Sequence, residues 1–478
     1  MLTLTLQFEI GSEKGKIIQL RLIIPSSTKM IWYTINHVAQ IIFGLNDLSY
    51  ELELIDIFSR LYLFIKRENI MMFFLNAFML LLFLSYNSFS AAEKLDWSQW
   101  RGPNRDGILI SELPEHLSGL QKKWEIDLSP SYSGPVTYKG KVFTTATVDE
   151  KYEVVYCYNA ATGELIWTSK WLGSMKVPFF AASNGSWIKS TPTVADGKIF
   201  VAGMRDVLTC LNVEDGEQIW QVDFVEQFET TMSSFGFVCS PLVYQDKVVV
   251  QASGGIFQLN VDTGEVIWQA LKDSGGMYGG AFSSPIIEVI DNDLQLIVQT
   301  RTELASVNWQ NGEKLWGVTI PAFRGMNIQT PSRYENSFFI SSYGGGSFLY
   351  ELDSGVLAKE SKWSNTIQGY MSSPLILKDH VYMHLRNQRV TCMDLQTGEI
   401  AWTSKPFGKY WSMVTDGDRI LGLDQRGVLY LVNVSPDKFE IIDKQKISKS
   451  ETWAHLAVSR DKIYVRSLDK LICFSLES

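Results

Sequence analysis

The sequence predicts an all-β fold, an eight-bladed β-propeller of four-stranded antiparallel blades. Three observations carry that prediction. A twelve-residue phrase recurs along the chain, a second hairpin pattern precedes most of its copies, and the 478 residues include 15 Trp and 35 Gly. Indole rings at that density mark a repeated packing position rather than separate sites. Composition sets the outer bounds. Hydrophobic residues make up 46% and charged residues 20%, which excludes wholesale disorder and a multi-span membrane protein. With 43 Lys and Arg against 52 Asp and Glu, the net charge of −9 excludes a general nucleic-acid binder.

The phrase reads YCYNAATGELIW (156–167), TCLNVEDGEQIW (209–220), FQLNVDTGEVIW (257–268), ASVNWQNGEKLW (305–316) and TCMDLQTGEIAW (391–402). A weaker copy, FLYELDSGVLAK (348–359), keeps the Gly and loses the Trp. The shared glycines are Gly163, Gly216, Gly264, Gly312, Gly355 and Gly398, at spacings of 53, 48, 48, 43 and 43 residues. That is the period of propeller blades. In each full copy an alternating strand runs into Asn or Asp four residues before the Gly. The short polar side chain bonds the turn backbone, and the Gly supplies the positive φ of a tight reversal. Trp follows four residues later: Trp167, Trp220, Trp268, Trp316 and Trp402. Together with Trp124 these rings are expected to dock blade against blade.

The second hairpin appears as STPTVADGKIFVAG (190–203), CSPLVYQDKVVVQA (239–252), SSPLILKDHVYMHL (372–385) and AHLAVSRDKIYVRS (454–467). A short polar turn between alternating runs signals a β-hairpin, and two hairpins make one blade. Blades are expected to begin near Ser133, Ser190, Ser240, Ser284, Thr330, Ser373, Ser412 and Ala454. The eighth lacks an outer strand, and a spare strand precedes the first at 122–128 with Trp124. Pairing the two closes the ring and leaves no open edge. Cys157, Cys210, Cys392 and Cys473 recur at one position of the third strand in four blades, too far apart to bridge. They and Cys239 read as small buried hydrophobes. No disulfide and no metal site is expected.

The N-terminal ninety residues differ. Residues 71–90, MMFFLNAFMLLLFLSYNSFS, carry no charge and end in small residues before Ala91, which reads as a signal peptide cleaved after Ser90. An uncleaved anchor is the alternative. Residues 1–70 show none of the later pattern and are read as a non-native upstream extension from a miscalled start. Residues 91–121 form a leader or cap segment, and residues 122–478 the propeller. The expected location is periplasmic or secreted, with no transmembrane domain after cleavage.

The repeat resembles the quinoprotein-type propeller repeat with its Ala-x-Asp-x-x-x-Gly-x-x-x-Trp-like docking motif, over essentially all of 122–478. DWSQWRGPNRDG (96–107) looks like the leader of exported bacterial proteins built on it. The resemblance implies one of two activities. One is dehydrogenation of alcohols or sugars with pyrroloquinoline quinone and Ca²⁺. The other is non-catalytic, as in the propeller component of the outer-membrane β-barrel assembly machinery, from which this sequence departs in carrying no lipid-attachment Cys directly after the apolar run. The catalytic version resembles a site with vicinal cysteines, a Trp floor, an Asp base and a calcium cluster. This chain has no adjacent cysteines and no D-x-D-x-D-G loop. Asp291, Asn292 and Asp293 fall in a hairpin turn. No Gly-x-Ser-x-Gly or His-Glu-x-x-His motif occurs either. No catalytic residue, metal or cofactor is expected.

Segments entering each first strand converge on one face, where Tyr132, Trp187, Phe237, Tyr278, Tyr370, Trp411 and Trp453 stand with Lys189, Arg324, Asn327, Gln329 and His455. They are the candidate binding face, unless they simply plug the channel mouth. The insertion 168–189, with Trp171, Phe179, Phe180 and Trp187, departs furthest from the repeat, and such loops carry function. The expected function is a monomeric protein-binding or envelope-assembly scaffold that holds an envelope or outer-membrane protein, as an extended segment. A quinone dehydrogenase and a carbohydrate-binding propeller are the alternatives.

Overall fold

The computed structural model describes residues 96–277 and 279–476 throughout. In the N-terminal unit it describes only the backbone of a hairpin, Leu2–Glu9 paired antiparallel with Ile17–Ile24. The readings made for the rest of 1–95, including the signal peptide, and for Tyr278 lie outside the described residues. Among the described residues no helix is long and apolar enough to cross a membrane.

Alternation of apolar and polar residues, punctuated by Gly- and Asp-containing turns, yields eight consecutive sheets. Blade 1 holds Val136–Tyr138, Lys141–Val148, Tyr152–Asn159 and Leu165–Leu172. Blade 2 holds Thr193–Ala195, Lys198–Gly203, Val207–Asn212 and Gln218–Asp223. Blades 3, 4, 6 and 7 repeat the plan from Leu242, Ile286, Leu375 and Trp411. In blade 5 the outer position is shared by Val356–Leu357 and Trp363–Asn365, both pairing with Gly346–Asp353. Blade 8 has Ala457–Ser459, Lys462–Arg466 and Lys470–Ser475, and its outer strand is the N-terminal Gln121–Asp127. The ring closes as expected. The second and third strands are buried almost throughout, so apolar layers sit between neighbouring blades.

The repeated phrase is the latch between blades. Trp124, Trp167, Trp220 and Trp268 lie on Gly163, Gly216, Gly264 and Gly312 of the following blade. A Cβ there would stand 2.4–2.8 Å from the ring, so only glycine admits the indole. Each indole N–H donates to the carbonyl one residue past the turn's Asn: Ala160 at 3.4 Å, Val213 at 2.9 Å, Val261 at 2.9 Å and Trp309 at 3.2 Å. The Asn side chains accept turn N–H groups, as at Asn159 (2.9 Å from Ala161) and Asn260 (2.8 Å from Asp262).

Blade 5 departs from the expected latch. Gly355 lies in a two-residue turn between Asp353 and Val356 and faces the Asp291 carboxylate rather than Trp316. With no wide turn to present a carbonyl, the buried Trp316 N–H finds no acceptor among the described residues. The next latch is made by Trp363, which lies on Gly398 and donates to Leu395 O at 2.7 Å. Trp402 donates to Ser435 O at 2.8 Å.

The four repeated cysteines sit directly opposite Trp167, Trp220, Trp402 and Trp124 in the pairing register. All five cysteines are buried free thiols. Burial pushes the Cys157, Cys210 and Cys473 thiols up to about 12.

Around the axis, hydroxyls at the blade entrances form a second ring. Backbone N–H groups of Gly134, Thr191, Ser240, Ser284 and Thr330 donate to the hydroxyls of Thr191, Ser240, Ser284, Thr330 and Ser373 respectively, at 3.0–3.3 Å. Each donor is the orphan N–H of a chain turning into a first strand, which a neighbour's hydroxyl satisfies.

Candidate functional site

The up-and-down order of each blade puts two kinds of turn at opposite ends of the ring. First-hairpin turns lie at one end, and blade-to-blade connectors with the middle turns lie at the other. The leader meets the first-hairpin end. Asp96 accepts from Lys139 N at 2.7 Å, Trp97 N donates to Thr137 Oγ1 at 2.8 Å, and Leu113 N donates to Asp416 Oδ2 at 2.8 Å. Ile108 pairs with Thr415 as a short parallel bridge.

From there the leader reaches inward. Trp97 and Trp100 are buried. Arg101 donates to Pro374 O at 2.5 Å in blade 6, and Arg105 to Pro241 O at 2.7 Å and Ser240 O at 3.0 Å in blade 3. Both guanidinium groups lie 5.4–5.5 Å from the Trp100 ring, a cation–π arrangement. Desolvation draws each arginine down to about 10, well above neutral pH, so both stay charged. His455 meets Trp100 edge-on at 5.6 Å, and Ser412 Oγ lies 3.3 Å from its Nδ1. Desolvation and the nearby Arg101 charge hold its imidazole down at about 3, so it is neutral.

The connector end carries the aromatic face, and the predicted residues divide there. Tyr132 stacks on Trp453 at 5.1 Å, which stacks on Tyr410 at 6.0 Å. Tyr370 packs on Tyr343 at 5.6 Å. Trp187 is partly exposed. Lys189 donates to Gly185 O at 3.1 Å, and burial draws its ammonium down to about 8. Others turn inward. Phe237 and Trp411 are 1% exposed and belong to the blade cores, Phe237 against Phe224 and Trp411 against Phe407. Asn327 and Gln329 are buried braces, donating to Arg301 O at 3.0 Å and Ser372 O at 2.6 Å. His455 lies under the leader. None of these five presents an open binding surface.

Arg324 remains outward. Arg301, from the middle turn of blade 4, donates to Gly325 O at 2.5 Å and Arg324 O at 3.0 Å. That grip holds Arg324 at a left-handed φ of 51° and leaves Phe323 53% exposed. Beside them lies a recess of about 410 Å³ lined by Pro321, Ala322, Phe323, Tyr343, Gly344 and Arg386. Arg386 stacks 4.4 Å over Tyr343 and donates to Gln368 Oε1 at 3.1 Å. The recess thus joins blades 4, 5 and 6. Phe323, Tyr343 and Arg386 were not singled out from the sequence. Their signal is an aromatic or Arg placed in a connector or middle turn, which one blade read alone does not distinguish from loop.

The residues do not fit a quinone with its cation. The Trp100, Arg101 and Arg105 side chains occupy the axis, and every cysteine is buried in a separate strand or blade entrance. Among the described residues no three His, Cys, Asp or Glu side chains gather as a metal would require. Here the geometry offers aromatic faces, guanidinium donors and an open recess, the chemistry of a recognition surface.

Fold and face together define a quinoprotein-type propeller whose axis is filled by its own leader. The family model described as outer membrane protein assembly factor BamB matches residues 151–404, and the chain belongs to that family. It is 24% identical over 303 residues to outer membrane protein assembly factor BamB of Shewanella oneidensis, covering 59% of this chain and 74% of that protein. Among solved structures it is similar to BamB from Moraxella catarrhalis, with TM-score 0.54, 17% identity and coverage of 74% of this chain and 97% of that one. It is also similar to a europium-containing methanol dehydrogenase, with TM-score 0.61, 11% identity and coverage of 80% and 98%. At such identities the structural likenesses speak of fold.

Proposed function

We propose that this chain is an exported, non-catalytic propeller that acts in outer-membrane protein assembly by holding a protein partner on its connector face. The observation that carries the reading is the family match over 151–404. The recess joining blades 4, 5 and 6 supports the reading as an open surface able to hold a partner. Phe323 offers an open aromatic edge, and Arg386, stacked on Tyr343, keeps guanidinium donors free for a partner's carbonyls or carboxylates. Stacked Arg and aromatic groups beside a concavity are the chemistry of interface hot spots. An extended segment of an envelope protein suits a recess of this size, and the protein works as a monomer in the periplasm after cleavage near Ser90.

A photo-crosslinking side chain at position 323 tests the reading in cells. The expected result is a crosslink to an envelope protein of the outer-membrane assembly pathway that disappears with Arg386→Glu. The reading falls if that residue crosslinks to nothing while the protein remains folded. Calorimetric titration with pyrroloquinoline quinone and Ca²⁺ is expected to give no heat. Tight calcium-dependent binding would favour a dehydrogenase instead.

A further inference from the structure

The connector between blades 1 and 2 folds in an unusual sense. Residues Phe179–Asn184 form a short 3₁₀ turn between Pro178 and Gly185. Its feet are small: Val177 and Ala181 are buried in the cluster under blades 1 and 2. The two large apolar side chains of the same turn point away. Phe179 is 91% exposed and Phe180 57%, and the adjoining strand end, Leu172, is 62% exposed. A turn that buries Ala and Val while lifting two phenylalanines into water runs against the usual partition of residues, and clustered exposed apolar groups mark an interaction site.

The tip is braced. Phe179 meets Phe180 edge-on at 5.6 Å, and Phe180 rests on Phe235 at 6.3 Å. The start of the same connector, where Leu172 pairs with Tyr152 and Gly173 N donates to Lys151 O, is basic although the chain carries −9 overall. Lys151 and Lys170 each stand 5.1 Å over the Tyr152 ring, exposed and without an ion pair among the described residues. Lys176 reaches Glu150 at 3.3 Å across an open surface, a contact that a stronger anion can replace. Asp149 and Glu150 are the exposed acids at this corner, and Glu153 is buried beneath it.

We propose that this corner is a membrane-interface tip, with Phe179, Phe180 and Leu172 entering the headgroup boundary and Lys151, Lys170 and Lys176 meeting anionic headgroups. A protruding apolar turn with lysines along the connector that carries it matches an acyl boundary under a charged surface. A protein ligand would more naturally find a concavity, which the 323–386 recess supplies and this tip does not. The proposal does not depend on the partner-binding reading.

The native cysteines are buried, so Ser183→Cys in the full chain can be labelled selectively with an environment-sensitive fluorophore beside the tip. The expected result is a blue shift on phosphatidylglycerol-containing vesicles and little on phosphatidylcholine alone. In the labelled protein, Phe179→Ser with Phe180→Ser should weaken the vesicle-dependent shift by about tenfold or more. Lys170→Glu with Lys176→Glu should remove the preference for anionic lipid. Both phenylalanines are exposed, so an unchanged melting transition confirms that the variant is folded. No shift with either vesicle, or a shift unaffected by the phenylalanine changes, would overturn the proposal. So would a shift produced only by an added envelope protein, which would make the tip a protein contact.

Discussion

At the docking tryptophans two terms act together: apolar area buried between blades, and an indole N–H bonded to a turn carbonyl. At Val213 and Val261 that carbonyl has no other donor among the described residues, whereas Ala160 O also accepts from Tyr464 and Trp309 O from Gln258. Seams 1/2 and 4/5 separate the terms. Trp167 has both, with Val213 O at 2.9 Å and Gly216 beneath the ring. Trp316 is 5% exposed against Phe338 but bonds to no acceptor among the described residues. Trp167→Phe should therefore destabilise the fold by about 1–2 kcal/mol more than Trp316→Phe, since only the first strands a buried carbonyl. Paired urea denaturation curves check this. Equal losses would mean that packing area alone sets the latch. The missing bond also shows where the sequence is hard to read. Gly355 keeps the repeat's glycine, but its turn is two residues instead of five. The tryptophan of that blade falls eight residues past the glycine, at Trp363, after the excursion of residues 358–362. A motif search at fixed spacing passes over it, although the ring still docks on Gly398.

At the scale of elements, strands and turns were legible because each carries its own period and punctuation, while connectors carry none. Phe237 and Trp411 therefore read as equals of Tyr132 and Trp453, and only the fold sends the first pair into the blade cores. The connector of blades 1 and 2 also hides a charge. Glu153, in the third strand of blade 1, is fully buried. It accepts from Met204 N at 2.6 Å and Trp171 Nε1 at 3.1 Å. Gly173 and Gly203 leave it room, since a Cβ at either would stand 2.1–2.4 Å from its carboxylate. Burial raises its carboxyl from 4.5 to about 7, opposed by those bonds and by the Lys189 and Arg205 charges. A carboxyl raised on folding binds its proton more tightly in the folded than in the unfolded chain. Stability should therefore fall as pH climbs from about 4.5 to about 7, by no more than about 3 kcal/mol. Lys189, drawn down to about 8, acts in the opposite sense only above that pH, where the unfolded chain holds the extra proton. Glu153→Gln should flatten the acid-side slope. Melting temperatures of both proteins between pH 4.5 and 7 decide the matter, and parallel curves would place the titration elsewhere.

For the whole molecule, closure was legible and the filled axis was not. A missing outer strand at one end and a spare one at the other announce their pairing, and Gln121–Asp127 completes blade 8. Nothing local announces that Arg101 and Arg105, four residues apart, reach blades on different sides of the ring. Their acceptors, Pro374 O, Pro241 O and Ser240 O, sit where the chain turns into a first strand and no sheet partner is present. Eight blades joined only to neighbours can breathe seam by seam, as repeat proteins do. A charged bond from the axis to blades 3 and 6 ties distant parts of the ring together, and charge-assisted bonds are the stronger kind. Removing both guanidinium groups leaves Pro374 O without a donor among the described residues, while Pro241 O keeps the Thr193 hydroxyl at 2.6 Å and Ser240 O only the weak Cys239 thiol contact at 3.5 Å. Arg101→Ala with Arg105→Ala should therefore destabilise the molecule by about 2–4 kcal/mol. The distribution of the loss is the sharper test. If the leader ties the ring as a unit, hydrogen exchange should rise in the first strands of blades 3 and 6 together, with unfolding less cooperative. Faster exchange confined to residues 96–120, with the blades unchanged, would mean that the leader rests on the propeller without holding it.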